Sequence, residues 1–234
     1  KIIILLIALQ MLDNGNLNWD EPVKLEKDLI GGGAGLMAYE QVGKIFPIYK
    51  VASEMIRVND NTATNLLIRR VGGIKIINKR IQEIGLRNTK LNNLLPDLKG
   101  TNITSAKDLA NTIAMIDSGK ILSARSRDLF REIISTSPSN QLLPAGILKG
   151  LGKDQENIDY KLLMNGYRVY NTPGDIGISY GDAGLIQMPD NTRAVAGFIV
   201  KGPFNDPRST DLIRAMAAAM APILQPKAPE QTYE

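Results

Sequence analysis

The first twelve residues, Lys1–Leu12 (KIIILLIALQML), constrain the fold more than any other stretch because they present no polar face. A helix apolar all round has to be surrounded by the rest of its chain. Twelve helical residues rise only about 18 Å, well short of a bilayer core, which excludes a membrane span. A secretory signal is the other candidate, with a charged start and an apolar centre. No small-residue cleavage site follows, and Asp13-Asn14-Gly15 reads as an ordinary helix stop. The expectation is a central helix buried on every side.

With 234 residues, 44% of them hydrophobic, the chain can enclose such a helix as one domain or as two closely packed lobes. It has no Cys and no His. That removes Ser-His-Asp and Cys-His hydrolysis, zinc held by Cys or His, and disulfides. Any nucleophile must be served by Lys, Tyr or a carboxylate, and no cofactor or metal site is expected. The absence of thiols fits an oxidising and a reducing compartment equally well. The formal charge of +4 is scattered and only 5% of residues are aromatic, so nucleic acid is not an expected partner.

After the first helix, Leu17–Lys27 reads as a polar connector, followed by the glycine-rich Gly31–Gly35. GGGAG lacks the Gly-Lys-Ser/Thr ending and the preceding strand of a phosphate loop, so no nucleotide is expected. Pro47–Val58 is a helix leading to the turn Asn59-Asp60-Asn61. Behind that turn, Asn61 or Thr62 can cap a second helix with Leu66, Leu67 and Val71 at helical spacing, closed by Gly72-Gly73. Ile74–Ile84 is another helix, with Ile76, Ile77, Ile81 and Ile84 near one face. Leu86–Thr104 is long and irregular, and loops of that length in compact domains are commonly functional. Helices follow from Ser105 to about Ser118 and over Ser126–Ser135, while Pro138–Gly152 reads as loop with a short apolar turn. From Tyr167 the period becomes that of strands, over Tyr167–Tyr170, Ile176–Met188 and Arg193–Lys201. A last helix runs from Asp206-Pro207 to about Leu224, with Leu212, Ile213, Met216, Met220 and Ile223 aligned to pack on the sheet. Gln225–Glu234 is a polar tail expected to be disordered.

Three stretches carry a resemblance to a known family. Val51–Gly73, VASEMIRVNDNTATNLLIRRVGG, resembles the second motif region of class A β-lactamases and related penicillin-interacting serine enzymes, where the turn reads Ser-Asp-Asn. TSAKDLANTIAMIDSGKILS is similar in spacing to that family's helical lobe. Asn171-Thr172-Pro173-Gly174-Asp175-Ile176-Gly177, with the YGDAGLIQMP and AVAGFIVKGPFNDPR that follow, resembles the strand bearing Lys-Thr-Gly or Lys-Ser-Gly. The resemblance covers nearly the whole chain except its tail. It implies a mixed α/β (α+β), β-lactamase/transpeptidase-like fold: an antiparallel sheet flanked by helices, plus an all-helical lobe, with the cleft between them. The implied division is 1–35 as central helix and connector, 36–153 as helical lobe with an omega-like loop, 154–224 as sheet and C-terminal helix, and 225–234 as tail.

Acyl transfer by such enzymes needs an activated Ser, a donor to the leaving nitrogen and positive charge for the substrate carboxylate. Aligned on Asp13-Asn14-Gly15, Lys1 falls on the Lys of Ser-x-x-Lys. The nucleophilic Ser is then expected three residues before Lys1, and the sequence given is expected to begin in mid-fold. Asn59 stands where a Ser relays a proton to the leaving nitrogen, which an amide cannot do, and Asn61 keeps the amide that holds a substrate carbonyl. Asp60, Thr172, Pro173, Gly174 and Asp175 complete the implied substrate site. Thr172 replaces the cationic Lys, and Pro173 removes a backbone donor from the strand edge. Leu95 stands at the omega-loop position of the deacylating Glu, with Asp97 the only carboxylate nearby. Arg168, Lys161 and Arg193 are the cations able to return the lost charge.

Three activities fit these replacements. One is hydrolysis of β-lactams or peptidoglycan-peptide amides through an acyl-enzyme, weak or altered. Another is a catalytically inactive binding protein on the same fold, and the last is a Ser-Lys esterase or transpeptidase. The implied partner is a β-lactam or peptidoglycan-like small molecule or peptide, and the implied location is periplasmic or extracytoplasmic.

Overall fold

The apolar start of the chain forms helix α1 (Ile2–Asp13), and in this computed structural model, which describes residues 1–225, every residue from Ile2 to Gln10 is buried. Each Leu or Ile withdrawn from water contributes about 1.5–3 kcal/mol. The buried amide of Gln10 is satisfied, donating to the Ile121 carbonyl and accepting from Arg80 Nε at 2.8 Å. Around α1 pack α3 (Asn61–Arg70), α4 (Gly73–Glu83), α5 (Ala106–Asp117) and α6 (Ala124–Ser135), while α2 (Ile48–Arg57) lies against α3 and α6. Asp13 ties the end of α1 to the start of α6, accepting from Ser123 N, Ser123 Oγ and Ser126 Oγ. The residue that caps α3 is Asp60, not Asn61 or Thr62: its carboxylate accepts the Ala63 N–H at 2.8 Å.

Two stretches read as connector or loop contain regular structure. Pro22–Lys24 (β1) pairs antiparallel with Ile45–Pro47 (β2), a match of three residues a side that is too short to leave a periodic pattern. Leu143–Gly150 forms helix α7, and Ile158–Met164 forms α8. The sequence LPAGILKG hides its helix behind one proline and two glycines. Pro144 lies in the first turn, where its missing N–H costs nothing. Gly146 and Gly150 are where α9 (Pro207–Met220) comes closest: a Cβ on Gly146 would stand 2.5 Å from Ala217 Cβ, and one on Gly150 2.2 Å from the Ala218 carbonyl.

The larger sheet has the order β3-β4-β5, all antiparallel, from Arg168–Asp175, Ser179–Gln187 and Arg193–Lys201. Strand β3 continues past Tyr170, where the expected strand ended, to Asp175, and passes through Pro173. The register explains why a proline is accepted there. Ile176 N donates to Ser179 O at 3.1 Å, so by strand alternation the N–H groups of Gly174 and Thr172 face β4, and position 173 faces outward. The missing donor of Pro173 is one the sheet does not use. Helices α5 and α9 pack on this sheet; of the expected face Ile213 is buried and Met216 and Met220 are half-buried, while Leu212 and, beyond α9, Ile223 are exposed. Residues 226–234, all but the first of the expected disordered tail, lie outside the described residues. Among the described residues no helix is long and apolar enough to cross a membrane.

Candidate active site

The α2–α3 turn and the outward edge of β3 face each other across a cleft of about 400 Å³. Arg57–Asn59 form one wall, Thr172–Asp175 the opposite one, and Ser137–Ser139 close the side. Asn59 adopts the left-handed conformation at φ +56°, which asparagine tolerates better than most residues. That kink aims both its backbone carbonyl and its side-chain oxygen at Lys1. Lys1 Nζ donates to Asn59 O, to Asn59 Oδ1 at 2.5 Å and to Asn61 Oδ1 at 3.3 Å. Burial pulls the Lys1 ammonium down to about 7, against the opposing charge of Asp60. Near neutral pH the side chain is therefore divided between an ammonium and an amine that can take a proton.

Asn61 is turned inward on both sides, its Oδ1 on Lys1 and its Nδ2 on Gly32 O at 2.9 Å. Asp60 does not face the cleft. It is buried, with Oδ1 capping α3 and Oδ2 accepting Met37 N at 2.9 Å, so its carboxylate holds the turn and is not a substrate contact. Gly35, at φ +92°, lies so close to Asp60 that a Cβ there would fall 2.1 Å from its carboxyl carbon. The connector thereby wraps the turn from outside.

Leu95 is brought to the same end of α3. The side chain of Asn65 bonds its backbone, and a Cβ on Gly31 would meet both Leu95 O (2.4 Å) and Asn61 Cβ (3.1 Å). The nearest loop carboxylate, Asp97, is turned away as a brace, accepting from Thr101 Oγ1 and from Asn102 N.

On the β3 side, Thr172 lines the cleft, and alternation directs the Asp175 N–H, like the vacant Pro173 position, toward it. An outward backbone N–H on a strand edge is the kind of donor that stabilises a developing oxyanion. Behind the strand, Asn171 Nδ2 donates to Asp182 Oδ2 (2.9 Å) and to Ser139 O (3.0 Å), and Asp182 also accepts Leu143 N at 3.0 Å. Burial pushes the Asp182 carboxyl up to about 7, opposed by the bonds from Leu143 and Asn171. This network anchors the Ser137–Ser139 wall to the sheet. Neither it nor Asn65 was singled out in the sequence. A buried Asn within a helix and an Asn–Asp pair on adjacent strands give no local signal until the register is known.

The expected replacement cations are elsewhere. Lys161 pairs with Asp154, and Arg193 with Asp117 at 2.9 Å. Arg168 begins β3 opposite Gln187, at the far end from Asp175. The cation on the cleft wall is Arg57. The arrangement can bind a polar extended ligand along β3 and places an amine lowered to about 7 against the Asn59 and Asn61 side chains. Among the described residues, the carboxylate on its walls is Asp175, at the end of β3.

Comparison with known proteins adds to this geometry. The profile of the Beta-lactamase enzyme family matches residues 1–224. The solved structure of PBP-A is 40% identical and superposes with a TM-score of 0.86 over 95% of this chain and 78% of its own. A mutant of PBP-A in an acyl-enzyme complex with penicillin G superposes equally well at 39% identity, with the same coverage. Beta-lactamase ROB-1 of Haemophilus influenzae is 31% identical over 83 residues, which is 36% of this chain. That match spans only 27% of ROB-1.

Proposed function

The chain belongs to the beta-lactamase enzyme family, and from that membership we propose that it is a penicillin-reactive acyl-transfer protein with weak turnover. It takes the acyl group of a β-lactam or a peptidoglycan-like peptide onto a serine and releases it slowly. The observation that carries this reading is Lys1, held against Asn59 and Asn61 with its ammonium lowered to about 7. Such an amine can take the proton of a hydroxyl nucleophile. The reading requires a Ser three residues before Lys1.

Weak turnover follows from what the cleft lacks at both steps. Acylation lacks a relay, because the Asn59 amide cannot pass a proton to the nitrogen that departs as the acyl-enzyme forms, and release lacks a base, because Leu95 brings no carboxylate to activate water. Each loss costs roughly 10²–10⁴ in rate, and such losses do not simply add. The acyl-enzyme of the PBP-A mutant with penicillin G supports covalent capture on this fold. An extracytoplasmic place of work goes with the same reading.

The test is intact-mass spectrometry after incubation with penicillin G and with an activated ester. A persistent gain of one penicillin, mapped to a Ser three residues before Lys1, is the expected result. No adduct from either reagent would replace this reading with that of a binding protein on the same fold.

A further inference from the structure

The charged groups on the cleft wall among the described residues are Arg57 and Asp175. Arg57 is already neutralised: its guanidinium meets both carboxylate oxygens of Glu54, at 2.9 and 2.7 Å from Nη2. Lys1 lies behind Asn59 and directs its N–H groups to Asn59 and Asn61 oxygens, and Arg214, which reaches Thr210 on the cleft wall, is paired with Asp211. Asp175 has no such partner. It is exposed at the end of β3, forms no ion pair among the described residues, and accepts only the Gly177 N–H, at 3.3 Å. The rest of that wall is uncharged, with Thr172, Pro173 and Gly174 on the strand and Ser137 and Ser139 beside it.

The unbalanced charge of the cleft is thus negative, and it belongs to the residue whose own outward N–H faces the cleft, where an acyl group would lie. We infer that this cleft favours acyl donors bearing a positive charge near the reacting carbonyl, with Asp175 as the residue that selects them. An aminoacyl or diamino-acid peptide has the required ammonium, and a side chain ending in a carboxylate is disfavoured by the same charge. The inference deepens the acyl-transfer reading and rests on it.

Three penicillins sharing one fused ring but differing in side-chain charge supply the test: ampicillin (ammonium), penicillin G (neutral) and carbenicillin (carboxylate). At about pH 6.5 the ampicillin amine is largely protonated. The second-order acylation rate constant should fall in that order, by about two- to fivefold per step at low ionic strength, as expected of an exposed charge. The spread should shrink in about 0.5 M salt. Asp175→Asn should collapse it, and Asp175→Lys should reverse it. A flat series in the unmodified protein, or an order unchanged in Asp175→Asn, overturns the inference. If none of the three gives an adduct, acyl transfer itself fails, and equilibrium affinities for the same compounds decide the question. Preference for ampicillin that is lost in Asp175→Asn then supports charge selection by Asp175, and equal affinities overturn it.

Discussion

The side-chain amide of Asn65 closes a two-point clamp on the backbone of Leu95, accepting its N–H at 2.8 Å and donating to its carbonyl at 2.7 Å. The same Nδ2 reaches Leu29 O at 3.2 Å, so one buried residue in α3 joins the long loop to the connector. Removing the amide leaves these groups without partners, at about 1–3 kcal/mol for each one that stays buried. Asn65→Leu, which keeps the branched shape but is bulkier, should lower the unfolding free energy by about 2–4 kcal/mol in a urea titration. A loss below about 0.5 kcal/mol would mean that other contacts hold the loop.

The clamp grips main chain, so the side chain at position 95 can be changed without releasing the loop. Leu95→Glu supplies a carboxylate at the end of α3 that meets Asn61 and Gly31. The penicillin adduct of this variant should clear about 10²–10⁴ faster than that of the unmodified protein, read as the return of native mass. An unchanged adduct lifetime would show that deacylation is limited by something other than a missing base.

If Lys1 is the base, only its neutral form assists acylation. Its folded value of about 7 sets the window: the acylation rate constant should climb with pH from about 5.5 and level off above about 8. Lys1→Met should lower the plateau by about 10²–10⁴. A profile flat across that range would exclude Lys1 from the role.

How much of this was legible in the sequence depended on how local the cause is. Helix α1, the helices capped by Ser105 and Ser123, and strand Arg193–Lys201 follow from a few adjacent residues each. The turn Asn59-Asp60-Asn61 and the Thr172–Asp175 edge were marked only through the resemblance of their surroundings to a known family, and of these residues Asn59 and Thr172–Asp175 line facing walls of one cleft. What stayed hidden depends on partners distant in sequence. Asp60 looks like a site carboxylate until Gly35 and Met37 fold over it. Lys161 and Arg193 look like spare cations until Asp154 and Asp117 are found beside them. Helix α7 reads as loop because its glycines answer to α9, more than sixty residues on.

That last relationship can be tested directly. Gly146→Ala adds a methyl group where Ala217 Cβ and the Arg214 carbonyl already lie within 2.6 Å, and backbone cannot rotate aside as a side chain can. Overpacking of this sort costs about 1–3 kcal/mol, so the melting temperature should drop by about 3–10 °C. A melting temperature equal to or above that of the unmodified chain would mean that the α7–α9 contact is looser than the geometry indicates.

Asp182 gives the stability of the fold a pH dependence with a definite sign. Its folded carboxyl is raised to about 7 from an ordinary value of 3.8, with burial the leading cause, so between those values the folded state holds a proton that the unfolded chain has lost. Stability from this group is therefore fully present below about pH 4 and is lost as the pH rises through 7. The expected loss from Asp182 is on the order of 2 kcal/mol between pH 5 and pH 8. Lys1, whose folded value is lowered, acts in the opposite sense above pH 7 and offsets about 1 kcal/mol of that loss by pH 8, so the comparison has to be made with a variant that keeps Lys1. Asp182→Asn keeps an oxygen for the Leu143 N–H and cannot ionise. Urea titrations of both proteins at pH 5 and pH 8 isolate the term as a difference of differences. The unmodified protein should lose more stability over that interval than the variant. Parallel curves would mean that the bonds from Leu143 and Asn171 keep Asp182 ionised throughout.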